Sequence, residues 1–182
     1  MCDRMLFLSN VVSLNCFSLE ARLLRTLGID PGSRVTGYGV VDQVGDRITR
    51  VDHGEIRTKN GEPFTRGLSR IFDELQDVIH RTRPDAVALE DIFYGKNVKS
   101  LIKQGHVRGV VLLAATHSHI PVFEYTPLEV KKAVVGYGRA EKHQVQQMVK
   151  TMLELSSVLP EDASDALAVA ICHAHTKKET AL

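Results

Sequence analysis

Four carboxylates stand out by their positions. Asp30 closes a short apolar run, Thr26 to Ile29, and Glu90 closes another, Ala86 to Leu89. In open α/β sheets the carboxyl ends of the strands are where ligands bind, so two acids at adjacent strand tips would lie near each other. Asp162 and Asp165 sit three apart at the start of the last helical segment and so project from one face of it. If that helix start packs across the same sheet edge, four like charges converge. Their mutual repulsion is relieved only by a cation. All-oxygen ligands select hard ions, Mg²⁺ or Mn²⁺, and two such ions about 4 Å apart suit in-line displacement at a phosphodiester. Each acid also has a local explanation. Asp30 precedes Pro31-Gly32 in turn chemistry, and the helix pair suits an N-terminal dipole. Glu90 extends a Val-Ala-Leu strand, where an acid rarely has a structural reason to be.

The elements that must position these acids are legible in the periodicity. Tyr38 to Val41 follows the Pro31-Gly32-Ser33 turn as the second arm of a hairpin, and Val51 to Arg57 adds a third strand. Phe64, Leu68, Ile71, Phe72, Leu75, Val78 and Ile79 keep a helical period that ends before Pro84. The continuously apolar Ala86–Leu89 reads as a buried central strand. Asn97 to about His119 is helical, with Val98, Leu101, Ile102, Gly105, Gly109 and Leu112 forming one face and Lys96, Lys99, Lys103 and His106 another. Its second half, Val110 to Ala115, is apolar all round and must be covered by core or by a partner subunit. Pro121 to Tyr125 is a further strand. Thr126-Pro127-Leu128-Glu129 combines a capping box with proline at the first helical position. A helix after Gly136 and Gly138 buries Val145, Met148, Val149, Met152 and Leu153, and a last one runs from near Pro160 to about His175. This order predicts an α/β fold, a mixed five-stranded sheet flanked by helices.

The chain has 182 residues and a formal net charge of +1, with 43% hydrophobic and 25% charged residues. Those values describe one globular domain, and the overall charge points to no partner. Charge distribution is more informative: between Lys96 and Lys150 nine basic residues stand against three acids. A basic segment beside isolated carboxylates suits a polyanion held against a metal site. Cys2, Cys16 and Cys172 fit no disulfide or zinc spacing and point to a reducing compartment, the cytoplasm. Residues 1–24 are expected to form a disordered extension, 25–178 the folded domain and 179–182 a short tail. His143, His173 and His175 are expected to be exposed polar residues.

Several separate motifs, in order, resemble the RuvC family of Holliday-junction endonucleases, which have a ribonuclease-H-like fold. They are Leu27-Gly28-Ile29-Asp30-Pro31-Gly32-Ser33 through Gly39, Ala88-Leu89-Glu90 with Phe93 and Lys96-Asn97, Phe123-Glu124-Tyr125, Val134-Val135-Gly136 with Ala140-Glu141-Lys142, and Asp162 through Ala168. The resemblance implies that Asp30, Glu90, Asp162 and Asp165 hold two Mg²⁺ ions per subunit, for which Mn²⁺ substitutes. It implies that Lys131 and Lys142 matter for activity, since a lysine beside the scissile phosphate offsets charge growing in the transition state. Phe93 matches the family's aromatic at the junction centre, where it could stack on an unpaired base. Lys96, Lys99 and Lys103 join Lys131 and Lys142 as candidate DNA contacts.

The family further implies a homodimer whose two-fold matches a four-way junction, paired symmetric nicks with 5′-phosphate ends, roles in recombination and repair, and work beside the RuvA and RuvB branch-migration proteins. The apolar second half of the helix ending near His119 is the candidate dimer interface. Rival readings are a ribonuclease H or pre-ribosomal-RNA nuclease with the same metal chemistry, an actin-like ATPase, which lacks its second phosphate loop here, and a junction-binding module without cleavage.

Overall fold

The computed structural model describes residues 23–91 and 97–176. Ten elements follow in order: β1 (Leu24–Asp30), β2 (Val35–Val44), β3 (Arg47–Arg57), α1 (Phe64–Thr82), β4 (Ala86–Glu90), α2 (Val98–His117), β5 (Val122–Tyr125), α3 (Pro127–Val135), α4 (Lys142–Met152) and α5 (Glu161–Thr176). The strands form one sheet in the order β3-β2-β1-β4-β5. β1, β2 and β3 pair antiparallel, whereas β4 runs parallel to both β1 and β5. The expected mixed five-stranded sheet is therefore present. β1 begins at Leu24, one residue inside the expected extension; the rest of that extension, to residue 22, and the tail, 179–182, lie outside the described residues.

Strand alternation divides the sheet into two chemically distinct faces. Leu27, Ile29, Val87 and Leu89 point toward α1 and α2, where they pack with Ile71, Leu75, Val78, Val107 and Val111. Gly28 and Ala88, with Asp30 and Glu90 two residues on from each, take the opposite parity and face α5. There β1 and β2 carry Gly28, Gly37 and Gly39 nearest the helix, with Val41 and Tyr125 packed farther along the face. A Cβ on Gly28 would lie 2.1 Å from the Ala166 carbonyl oxygen, and one on Gly37 would lie 1.9 Å from that of Asp162. Only glycine permits so close an approach, and α5 lies down on β1 and β2 because of it.

The ends of the helices are set locally. Thr126 accepts from the Glu129 amide while Glu129 returns a bond to the Thr126 amide, the expected capping box with Pro127 at the first turn. Asn97 caps α2 through the Ser100 amide. The expected apolar face of α2 is not the buried one: Val98 (64% exposed), Ile102 (55%) and Gly109 face solvent, while Val107, Val111, Ala114 and Ala115 are buried. At the start of α2 it is Lys103 and His106, not the apolar row, that lie against Phe64 of α1. Its second half is covered mainly by the core, with Leu113 left exposed.

Candidate active site

Parallel pairing of β1 with β4 places Ile29 against Leu89, so the next residues, Asp30 and Glu90, stand side by side at one sheet edge. α5 starts at Glu161, and the Asp162 backbone lies against Gly37, itself the cross-strand partner of Asp30. The helix start is thus bound to the strand tip by glycine contact. Burial and the negative charges of Asp165, Glu90 and Asp162 push the Asp30 carboxyl up to about 7. Glu90 is raised by burial and by Asp165, against the pull of Lys142 and Lys131. Asp165 is raised by burial, and Lys142 opposes the shift. Asp162 is raised by burial and then by Glu55 of β3. Asp30 feels all three others, whereas Asp162 sits toward the β3 side.

Lys142, the first residue of α4, supplies the cation. Its Nζ donates to Asp165 Oδ2 at 2.8 Å and pairs with Glu161. Burial works against its charge, but the hydrogen bonds to Asp165 and Glu161 prevail and raise its pKa. A cavity of about 220 Å³ lies beside this pair, lined by Glu90, Lys131, Lys142, Asp165, Pro127, Val130, Val145 and Ala168. Lys131 and Lys142 therefore share one cavity with two of the acids. Lys99 and Lys103 are exposed on α2. Phe93 and Lys96 lie outside the described residues.

The donor set fits a hard divalent cation: every candidate ligand is a carboxylate, and their mutual repulsion is what such an ion relieves. Among the described residues no three His, Cys, Asp or Glu side chains are already gathered as a metal cage. The main chain places Asp30 and Glu90 on adjacent strand tips, with the start of α5 against them.

Two features escape the sequence reading. Arg108, half-buried in α2, donates to the Glu90 carbonyl oxygen at 3.1 Å and pairs with Glu124 of β5, tying the ends of β4 and β5 together. A lone arginine between Val107 and Val110 was the available signal. His173 is not an exposed polar residue: it is 4% exposed and bonded through Nδ1 to the Tyr125 hydroxyl at 2.7 Å, with Phe123 packed at 4.5 Å. Alanines around it on α5 leave the imidazole inside. His143 and His175 are exposed as expected.

A mixed sheet carrying carboxylates on two neighbouring strand tips and on the helix crossing them defines a ribonuclease-H-like protein. Residues 26–173 match the family model for crossover junction endodeoxyribonuclease RuvC. Relatives of that name are similar along nearly their whole length: the one from Syntrophotalea carbinolica is 55% identical over 84% of this chain and 94% of its own, and that from Geobacter metallireducens 52% identical over 84% and 93%. Among solved structures, Thermus thermophilus RuvC in complex with Holliday junction substrate superposes with a TM-score of 0.82 at 35% identity, covering 87% of this chain and 99% of that one. The chain belongs to the RuvC family. The yeast mitochondrial resolvase Ydc2, 16% identical with a TM-score of 0.60, shares the fold. No helix among the described residues is long and apolar enough to cross a membrane.

Proposed function

We propose that this chain resolves four-way DNA junctions as a metal-dependent endonuclease, using Asp30, Glu90, Asp162 and Asp165 as ligands for a pair of Mg²⁺ ions, with Mn²⁺ as a substitute. The observation that carries the reading is the charge coupling at one sheet edge: Asp30 is pushed up to about 7 by burial and by the other three acids. A buried acid so perturbed is costly for the fold alone and useful to a cation site. The names of the relatives and the junction bound to the Thermus thermophilus protein supply the substrate class.

Bound divalent ions would supply activation of the attacking water and charge stabilisation at the leaving oxygen. The chain's own residues do the rest. Asp165 holds Lys142 through its 2.8 Å bond, keeping one cation at the rim of the cavity beside Glu90. Lys131 enters the same cavity from α3, so an entering phosphodiester meets two ammonium groups that offset its growing charge. Arg108 fixes the Glu90 carbonyl and thereby the direction in which the Glu90 side chain leaves β4. Phe93 follows β4 by three residues and is proposed to stack on a base at the junction centre, with Lys96, Lys99 and Lys103 on neighbouring phosphates.

The family supports further proposals: a homodimer with two active sites, nicks leaving 5′-phosphates, a place beside RuvA and RuvB in recombination and repair, and residence with DNA in the cytoplasm. The test is cleavage of a synthetic four-way junction, a linear duplex and an RNA–DNA hybrid of the same sequence, with Mg²⁺, Mn²⁺ or EDTA. Symmetric nicks confined to the junction, dependent on the ion, are expected. Equal cutting of the hybrid would replace this reading with a ribonuclease H.

A further inference from the structure

The edge that carries the acids continues onto the other face of the sheet. β3 runs antiparallel to β2, so it ends at the edge where β1 ends; Arg57 pairs with Val35, just past the turn after Asp30. α1 begins at that same edge. A cavity of about 290 Å³ opens there, and three cations from three separate segments line it: Arg34 of the β1–β2 turn, Lys59 after β3 and Lys103 of α2. Arg34, Lys59 and Lys103 are exposed, and no ion pair among the described residues engages any of them.

The one acid in the lining, Glu62, already pairs with Arg70 at 3.2 Å and accepts the Lys59 amide. The cavity is therefore net basic. Its walls are also fixed. The Thr58 amide donates to the Arg34 carbonyl at 3.0 Å, Thr58 Oγ1 reaches the Ser33 and Arg34 carbonyls, and Lys103 Nζ stands 5.6 Å from the centre of the Phe64 ring. Three cations without an ion-pair partner around a recess whose backbone is fixed suit an anion by charge and by shape.

We infer that Arg34, Lys59 and Lys103 form a second phosphate subsite, which takes a backbone phosphate of the DNA strand running off the carboxylate edge. Its occupant rests on the nuclease reading above; the recess itself does not. Arg34 is four residues from Asp30, so no more than about 14 Å of chain separates them, and a strand laid across the edge reaches both. The subsite takes phosphate irrespective of base, so it sets register and affinity rather than sequence.

The experiment measures binding of a fluorescent four-way junction and a linear duplex by anisotropy across a salt series in EDTA, comparing the wild-type chain with Arg34→Ala/Lys59→Ala. Equal melting temperatures check folding, and Arg47→Ala, at the opposite edge of the sheet, is the control. The double variant is expected to bind both DNAs roughly tenfold more weakly at low salt and to lose about 0.9 from the slope of log affinity against log salt, the signature of one lost phosphate. The control should match the wild type.

Unchanged affinity and slope on both DNAs would overturn the subsite while leaving ion-dependent junction cleavage, and the nuclease reading, intact. A wild-type chain that shows no preference for the junction would count against that reading, and the slope on linear duplex would still decide the subsite. Inorganic phosphate, matched in ionic strength to chloride, should compete with DNA for the recess and weaken binding by the wild type more than by the double variant; equal weakening of both would count against the subsite.

Discussion

The two faces of the sheet are built on opposite rules. Toward α1 and α2, Leu27, Ile29, Val87 and Leu89 interleave with Ile71, Leu75 and Val78 in a core of large side chains. Toward α5, Gly28, Gly37 and Gly39 leave no side chain at all, and the helix backbone comes within a missing Cβ of the strands. The first face buys stability through apolar area, and its parts are replaceable by others of like volume. The second buries an apolar cluster of its own, with Val41, Tyr125, Leu167 and Ile171 in it, but adds direct backbone contact at the glycines, which sets the α5 acids at the tips of β1 and β4. Both faces bury apolar area, but the chemistry is confined to one of them, and substitutions on each face should fail in different ways.

The largest effect belongs to the α5 face. Asp165→Asn removes a carboxylate from the edge and one of the two carboxylate partners of Lys142 while leaving the basic surface in place. Single-turnover cleavage of a junction should fall at least about 1000-fold, about 4 kcal/mol of barrier, with junction affinity in EDTA unchanged. Loss of binding together with cleavage would show that the acid also organises the DNA surface.

Next comes a pH effect on the chelated protein. The Asp30 carboxyl is raised from 3.8 to about 7 in the fold. The folded chain therefore holds that proton more tightly than the unfolded one, so the associated stability is full below about pH 4 and is lost as pH rises through about 7. Denaturant midpoints in EDTA should fall between pH 5 and 8 by an amount worth at most about 2.5 kcal/mol, and less where solvent screens the site. Asp30→Asn should flatten that profile, and so should saturating Mg²⁺ with the wild type. Parallel profiles for the two chains would mean that the fold does not raise the Asp30 carboxyl.

How much of this contrast was readable beforehand follows from the same division. Every strand and helix could be placed from apolar periodicity and turn residues, because Pro84, Asn97 and the Thr126-Pro127 start act within a few residues of themselves. Asp30 and Glu90 were visible for the same reason: each ends its own strand. What the letters could not state was parity, that both acids face α5 and not α1, since this depends on the pairing of Ile29 with Leu89 across 60 residues. The exposed face of α2 was misread because a helical period says which residues align, not whether anything lies against them. Arg108 was passed over and His173 misread as exposed because a charged or polar side chain inside the fold is justified only by its partner, Glu124 with the Glu90 carbonyl for one and the Tyr125 hydroxyl for the other.

Gly37→Ala tests the contact itself. The added methyl would sit 1.9 Å from the Asp162 carbonyl oxygen, a backbone atom that cannot swing aside. The helix start must move from Asp30, costing roughly 2 to 3 kcal/mol of stability and reducing cleavage per folded molecule. Chemical denaturation and single-turnover rates on the same preparation separate the two losses. A variant that is destabilised yet cleaves at the wild-type rate would show that placement of the acids tolerates movement of α5.

The smallest effect belongs to the opposite face. Ile71 is buried at 1% exposure in the α1 core, with Leu75 and Val78 around it. Ile71→Val deletes one methylene and leaves a small void, costing about 1 kcal/mol. It touches neither strand tip nor α5, so cleavage per folded molecule and the metal concentration for half-maximal rate should both match the wild type. A change in either, at so small a cost in stability, would mean that packing under α1 is transmitted through β1 to Asp30 and that the two faces are not independent.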